Sequence, residues 1–442
     1  MKQFQIVILA IFGIFIFVGM LFFSGAIKTG DKTPTAVQQL SGKSLTMWGV
    51  LDRETVTDAI GDFSQENQMN LVYVTKSKDT IDTELSEAIA SGTGPDLVLA
   101  QHDVLLKHQS KFVHIPFDKF SDRQYRDLFV DQSKLFVFKD GIIAFPLLMD
   151  PMVFYYNRVS YNNVGIVYPP KTWQEVADYT ISLTRKSGTE TILESGIALG
   201  AFNNIAHAKD IFAMLLLQTG NPIVFTSTDP SGQTYSSTIA QTQANTQIPI
   251  TQYVLEFITQ FSDPLKASYS WNRSLPQALD SFASEQSSQY IGYASELPII
   301  AAMNPSLNFD IAPIPQPDGV KAKKTFATMY GVAVVKASKE QFAGFQTALL
   351  MKDKNFSEKL VNSVLARFPI APARKDLLGT PPPTQYGSIL YSSALIATAW
   401  PDMNYTYTQG IFEEMVTQVL RNSKEIDTII AEADAKMNEL LN

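Results

Sequence analysis

The sequence contains no cysteine, which excludes disulfides, thiolate metal ligands and cysteine nucleophiles together. Histidine is also scarce, and none of the four has the H-x-x-x-H or H-E-x-x-H spacing of a zinc site: His102, His108, His114 and His207. Nucleophile-elbow, phosphate-loop, dinucleotide-binding and calcium-loop motifs are missing as well. We therefore expect no metal, no cofactor and no catalytic residue.

Charge is low and lacks long blocks of one sign. Charged residues make up 18% of the 442 residues, and the net charge is -8. Because an acidic surface repels phosphate backbones, nucleic acid is not an expected partner. The apolar content of 45% is typical of a folded globular chain, and the length exceeds one comfortable hydrophobic core. Two lobes or domains are therefore predicted.

One long apolar segment stands at the N-terminus, where residues 6–23 form a run of eighteen apolar or glycine residues. As a helix this run would be about 27 Å long, close to the hydrocarbon thickness of a bilayer. We predict that residues 1–27 are a membrane anchor and that residues 28–43 are a polar linker. The small residues 24–26 leave open a cleaved signal peptide instead, so the body is exported in either case.

The body begins with alternating strand and helix patterns. Strands are predicted at residues 45–47, 71–74 and 97–100, with helices between them whose apolar residues fall on one face. This order predicts a mostly parallel sheet covered by helices. Further strands are predicted at residues 142–145, 152–156, 290–293, 309–314 and 331–335. Further helices are predicted at residues 173–184, 208–218, 252–260, 341–351 and over most of 410–441. Thr172 and Glu175 form a capping box that begins the helix at Trp173.

Several segments together resemble the maltose-binding-like branch of the extracytoplasmic solute-binding proteins that feed ABC importers. In chain order they are residues 44–49 (SLTMWG), 91–98 (SGTGPDLV), 144–157, 165–175 (with PPKTWQE), 278–282, 290–293 and 311–315 (IAPIP). The resemblance covers about residues 44–441. The lipobox cysteine of many membrane-anchored members is absent, and a transmembrane anchor would do the same job.

The resemblance implies an α/β fold, a two-lobed periplasmic-binding-protein-like clamp with crossing hinge strands, preceded by an N-terminal transmembrane helix. A ligand would lie in the cleft between the lobes. We expect lobe one at residues 44–149 plus 330–362 and lobe two at residues 150–329 plus 363–442.

Four candidate ligand-binding residues follow from the rule that ligands lie beyond the carboxyl ends of parallel strands. Trp48 could stack on the C–H face of a sugar ring, although a tryptophan at the edge of the core is equally expected. Asp52 and Arg53 could bind hydroxyls or a carboxylate, or act as a helix cap and a solvated cation. Gln101 follows the third strand.

Four more candidates come from later in the chain. Asp150 lies on the crossover, where the family often has a hydroxyl-binding acid, although an acid that ends a strand is nearly as common. Tyr330 precedes a glycine on the return strand, where the backbone could approach a ligand closely. Trp271 and Glu296 come from lobe two, with ordinary packing or surface roles as the alternatives.

The expected function is capture of a small solute by hinge closure, with delivery to the permease subunits of an ABC importer. The ligand is expected to be a sugar or oligosaccharide, and no chemistry is expected. Two alternatives remain open: a sensory or adhesion ectodomain with the same clamp, and an extracellular carbohydrate-active enzyme. The predicted location is the outer face of the cell membrane, or the periplasm or medium if the segment is cleaved.

Overall fold

The computed structural model describes residues 36–188, 191–229, 232–242 and 248–441. The predicted anchor at residues 1–27 and the first part of the predicted linker, residues 28–35, lie outside these ranges. Within these ranges no helix is both long enough and apolar enough to span a bilayer.

Helices and strands alternate along most of the described chain. The α-helices are α1 (Ala36–Leu40), α2 (Arg53–Glu66), α3 (Ile81–Ser91), α4 (His102–Lys107), α5 (Asp122–Leu128), α6 (Arg158–Asn163), α7 (Trp173–Leu183), α8 (Ala208–Gln218), α9 (Ile250–Thr259), α10 (Ala278–Ala283), α11 (Leu297–Met303), α12 (Gln341–Met351), α13 (Lys354–Leu365), α14 (Lys375–Leu378), α15 (Gly387–Leu395), α16 (Tyr405–Leu420) and α17 (Ile426–Leu441). The strands are β1 (Ser44–Gly49), β2 (Asn70–Thr75), β3 (Leu97–Gln101), β4 (Val137–Phe138), β5 (Gly141–Ile142), β6 (Ala144–Asn157), β7 (Arg185–Ser187), β8 (Thr191–Ile197), β9 (Val224–Asp229), β10 (Gly232–Ser237), β11 (Ser287–Tyr293), β12 (Phe309–Ala312), β13 (Thr325–Val334), β14 (Ala371–Pro372) and β15 (Ala397–Thr398).

The main sheet has two ends joined by two long central strands. Its strand order is β2-β1-β3-β13-β6-β11-β8-β7. At one end β1 pairs in parallel with β2 and β3, as the sequence predicts, and this end we call lobe one. At the other end β11 pairs in parallel with β8, and this end we call lobe two. The two-lobed α/β fold predicted for residues 44–441 is confirmed.

Strands β6 and β13 cross between the lobes and pair with each other in antiparallel fashion. The first part of β6 and the last part of β13 belong to lobe one, where β13 also pairs with β3. The last part of β6 pairs with β11 in lobe two. The register between the two crossing strands shifts between Tyr330 and Gly331. A shift of this kind interrupts the ladder and bends the strand locally.

The sequence divides β6 into two strands, whereas the structure makes it one strand of fourteen residues. The division arises because Pro146 and Pro151 lack the N–H that a central strand normally donates. Both prolines nevertheless face β13, Pro146 opposite Gly331 and Pro151 opposite Ala327. The capping box of Thr172 and Glu175 is confirmed, and α8 and α12 have the predicted bounds.

The prediction of a free linker up to residue 43 is wrong for its last part. Residues 36–40 form α1, which packs against α12, and the Leu40 side chain is completely buried. The Gly42 N–H donates to the Gln68 carbonyl at 2.9 Å, and Lys43 forms an ion pair with Glu340 at 2.9 Å. The polar composition of the segment gave no sign that Leu40 is buried, so the folded body includes residues 36–43.

Candidate functional site

Asp150 lies where the crossing strands pass between the lobes. Its side chain is only 2% exposed, and the Ser295 N–H of lobe two donates to its Oδ1 at 3.1 Å. Burial raises the pKa of Asp150 to about 6, although the Ser295 hydrogen bond and the nearby Lys78 ammonium both favour the charged form. At the crossing point, the charged form of Asp150 is therefore disfavoured relative to an exposed aspartate.

Tyr330 lies beside Asp150 and connects the crossing strand to lobe one. It stands opposite Gln101 in the β13–β3 ladder, and it is almost completely buried. Lys78, in the loop after β2, donates to the Tyr330 hydroxyl at 3.0 Å. Burial alone would lower the pKa of Lys78, but Tyr330, Asp150 and Asp52 together raise it. Lys78, Tyr330, Asp150 and Asp52 therefore form one electrostatically connected group, with Gln101 as the neighbour of Tyr330 in the sheet.

Asp103 of lobe one lies close to charged and polar groups of lobe two. Its Oδ1 is buried and has no hydrogen-bond partner among the described residues. Burial raises the pKa of Asp210 in α8 and of Tyr405 in α16, and the charge of Asp103 raises both further. The negative charge of Asp103 in lobe one thus acts on the Asp210 carboxyl group and the Tyr405 phenol in lobe two.

The side of lobe two that lies near Asp103, called here the lobe-two wall, includes Lys209 and Asp210 in the first turn of α8. Asp210 accepts from the Tyr293 hydroxyl at 2.7 Å, which fixes α8 against β11. Lys209, 2% exposed, forms an ion pair with Asp402 and donates to the Tyr405 carbonyl at 3.1 Å. Its amino group also lies 3.4 Å from the centroid of the Tyr405 ring. The buried cation is therefore fully partnered, and it fixes the loop before α16 beside Asp103.

Glu296 forms hydrogen bonds that hold neighbouring residues of the lobe-two wall in place. Its Oε1 is 2.7 Å from His207 Nε2, and its Oε2 accepts from the Tyr290 hydroxyl at 2.9 Å and the Tyr293 N–H at 3.1 Å. Burial alone would lower the pKa of His207, but the Glu296 hydrogen bond raises it above its ordinary value. A Cβ added at Gly292 would overlap the Glu296 carboxylate, so only glycine admits this packing. Both oxygens of Glu296 are already used within lobe two.

The structure does not support Trp271 as a ligand-binding residue. Its side chain has no exposed surface, and its indole N–H donates to Asn204 Oδ1 at 3.0 Å within the hydrophobic core. The packing role, which the sequence left as the alternative, accounts for it. Glu296 is likewise placed as a support rather than as a free acceptor.

Trp48, Asp52 and Arg53 lie on the rim at the carboxyl end of β1. Trp48 is partly exposed, and the Lys76 amino group lies 3.9 Å from its ring centroid. Asp52 occupies the N-cap position of α2 but makes no side-chain cap hydrogen bond, so its exposed carboxylate is available for another donor. Arg53 is exposed as well. Their roles in binding remain predictions.

Sequence reasoning missed Lys78, Asp103, Lys209 and Asp210. Asp103 follows Gln101 by two residues, so the strand-end rule could have found it. Lys209 and Asp210 lie in the first turn of a wholly buried helix whose other residues are apolar up to Gln218, and adjacent opposite charges in such a helix are unusual. Lys78 carries no comparable signal, because its loop contains several polar residues.

A family model for bacterial extracellular solute-binding proteins matches residues 51–348. The chain belongs to this family. A search of curated protein sequences gave no match.

Solved structures share the whole fold at low sequence identity. A cyclic α-maltosyl-1,6-maltose-binding protein from Arthrobacter globiformis has a TM-score of 0.71 at 14% identity, covering 91% of this chain and 99% of that one. A cyclo/maltodextrin-binding protein complexed with maltotetraose has a TM-score of 0.70 at 16% identity, covering 91% and 98%. The sugar-binding protein MalE from Xanthomonas citri has a TM-score of 0.69 at 15% identity, covering 90% and 97%. These similarities establish the two-lobed solute-binding fold.

Proposed function

We propose that this protein binds a neutral sugar or oligosaccharide outside the cytoplasm by closing its two lobes around it. The observation that carries the proposal is the buried Oδ1 of Asp103, which has no hydrogen-bond partner among the described residues and belongs to a carboxylate near Asp210 and Tyr405 of lobe two. A buried acceptor without a donor is costly. A ligand rich in hydroxyl groups would donate to the carboxylates on both sides at once.

The charge around the crossing point favours a neutral ligand. Four carboxyl groups, those of Asp52, Asp103, Asp150 and Asp210, lie near the crossing point together with the ammonium group of Lys78. Such a site would repel a sugar phosphate or the carboxylate of an amino acid. Hydroxyl groups, in contrast, donate to carboxylates and accept from an ammonium group.

The similar structures support a sugar as the ligand class. Their names describe proteins that bind maltotetraose or a cyclic maltose derivative, and one is a sugar-binding protein of unspecified ligand. All four tryptophans lie in the described ranges, and three of them, Trp173, Trp271 and Trp400, are buried. Trp48 alone keeps an exposed part of its indole, so it is the tryptophan that could stack on a sugar ring.

Closure about β6 and β13 would complete the hydrogen bonds to a bound ligand. The groups at the crossing point bind and release a ground state, because they are hydrogen-bonding groups without an activated nucleophile. We infer that the ligand is handed unaltered to the permease subunits of an ABC importer. The anchor proposed for residues 6–23 would hold the protein at the outer face of the membrane, and full-length protein should then sediment with membranes until detergent is added.

The lobe boundaries are proposed as residues 44–149 plus 330–362 for lobe one and residues 150–329 plus 363–442 for lobe two. The packing of α13 against α2 supports the first assignment, and that of α16 and α17 against α9 supports the second.

A thermal-shift screen tests the proposed ligand class. Protein beginning at residue 36 should show a raised midpoint with maltotetraose or another neutral saccharide, because a ligand that binds only the native state stabilises it. Asp103→Asn should weaken the binding about tenfold to a hundredfold, the range for a lost hydrogen bond to a charged group. Asp58→Asn, on the exposed face of α2, is the matched control and should bind normally. A response to sugar phosphates or amino acids alone would overturn the proposal.

A further inference from the structure

The loop after β1 leads to the rim residues Asp52 and Arg53. Leu51, in the middle of this loop, belongs to no strand or helix. The Val50 N–H donates to the Leu99 carbonyl at 3.2 Å, and the Gly49 carbonyl accepts from the Lys76 N–H at 2.8 Å. At Leu51 the backbone leaves this ladder, and α2 begins only at Arg53. Leu51 must therefore find other partners for its N–H and carbonyl groups.

A single buried phenol satisfies both backbone groups of Leu51. The Tyr73 hydroxyl accepts from the Leu51 N–H at 3.1 Å and donates to the Leu51 carbonyl at 2.8 Å. Tyr73 lies on β2 opposite Met47, and its side chain is buried. Burial and the nearby Asp52 carboxylate raise the pKa of Tyr73, so its hydroxyl keeps the proton that it donates. The hydrogen bond from the Tyr73 hydroxyl to the Leu51 carbonyl therefore persists at ordinary pH.

Gly49 leaves the space that the Tyr73 side chain occupies. A Cβ added at Gly49 would overlap the Tyr73 hydroxyl and ring carbons, so any other residue would push the phenol away from Leu51. The glycine here serves close approach rather than an unusual backbone angle, since its φ is not positive. Gly49 and Tyr73 thus form one unit that sets the position of the loop.

We infer that Tyr73 is a positioning residue for ligand binding. It does not contact the ligand itself, but it holds residues 50–53 in the position from which Asp52 and Arg53 can reach the ligand. The inference rests on the proposed sugar-binding function. Its physical basis is preorganisation, because a loop that is already fixed loses less entropy when the ligand binds. Without the hydroxyl, the backbone of Leu51 would turn to water and the rim would sample other conformations.

Tyr73→Phe tests the inference, with Tyr125→Phe as the matched control. Tyr125 is another buried tyrosine of lobe one, and its hydroxyl lies within 3.3 Å of the carbonyls of Ser133 and Ala144, away from the rim. Hydrogen exchange followed by mass spectrometry should show faster exchange at Leu51 in Tyr73→Phe alone. Affinity for maltotetraose, measured by calorimetry, should fall about threefold to tenfold in Tyr73→Phe, the net worth of a hydrogen bond. Gly49→Ala should also speed exchange at Leu51 and weaken binding, because its Cβ would displace the Tyr73 ring and hydroxyl.

The outcomes separate this inference from the proposed function. If the wild type binds neither maltotetraose nor any other neutral saccharide, the proposed function fails, and with it the ligand part of the inference. If the wild type binds and Tyr73→Phe binds equally well, the inference is overturned while the function stands. It is also overturned if exchange at Leu51 is unchanged, or if Tyr125→Phe loses as much affinity, because the effect would then be general destabilisation.

Discussion

Replacing Asp150 by asparagine should make the protein more stable at neutral pH and remove part of its pH dependence. The pKa of Asp150 rises from its ordinary value of 3.8 to about 6 in the folded protein, because burial disfavours the charged form. The ionised carboxylate therefore destabilises the fold, fully above the folded pKa and not at all below the unfolded one. The shift of about two units corresponds to at most about 3 kcal/mol at pH 7. Asparagine keeps an oxygen that can accept from the Ser295 N–H.

Urea unfolding measured between about pH 4 and pH 7.5 gives the free energy of unfolding of each variant. The wild type should lose stability relative to Asp150→Asn as the pH rises from about 4 to about 6, because over this range the native state holds a proton that the unfolded chain has already lost. Above about pH 6 the difference should stay constant. Asp58→Asn, which changes an exposed carboxylate, should follow the wild type. Parallel curves for the wild type and Asp150→Asn would mean that Asp150 has the same pKa in the folded and unfolded states, and burial would then not disfavour its charge.

Three further predictions concern packing and the rim. Lys209→Met should destabilise the fold by about 3–5 kcal/mol by leaving the buried Asp402 carboxylate unpaired, and adding Asp402→Leu should recover much of the loss in urea unfolding; no recovery would mean that the pair is not the cause. Trp271→Phe should lower the unfolding midpoint and leave sugar affinity unchanged, whereas Trp48→Ala should weaken binding by about 1–3 kcal/mol with little loss of stability; the reverse pattern in calorimetry would exchange their roles. A chain beginning at residue 36 should unfold cooperatively with full stability, while one beginning at residue 44 should lose about 2 kcal/mol with the burial of Leu40; equal midpoints would show that α1 contributes nothing.

The fold could be predicted from the sequence because its local signals agree with one another. The alternation of short apolar runs with amphipathic helices fixes the parallel sheet of lobe one, and the capping box at Thr172 fixes the start of α7. The continuity of β6 could not be predicted, because Pro146 and Pro151 argue against a central strand when the chain is considered alone. Only the pairing with β13 makes one strand of the two.

The site could be predicted only in part. The strand-end rule and the resemblance led to Asp150, Gln101 and Tyr330, which the structure brings together at the crossing point. Trp271 could not be assigned, because a tryptophan that binds sugar and one that fills a core look the same in a sequence. Asp103 and Asp210 owe their proximity to contacts across the two lobes, and sequence patterns report local structure rather than contacts of this kind.

Small-angle X-ray scattering of the protein with and without a saturating sugar measures closure between the lobes. The sugar found by the thermal-shift screen should decrease the radius of gyration, because the lobes close about β6 and β13. Asp103→Asn at the same sugar concentration should stay closer to the unliganded value. Saturated binding with an unchanged radius of gyration would show that the ligand binds without closure between the lobes, and capture by closure would then be wrong.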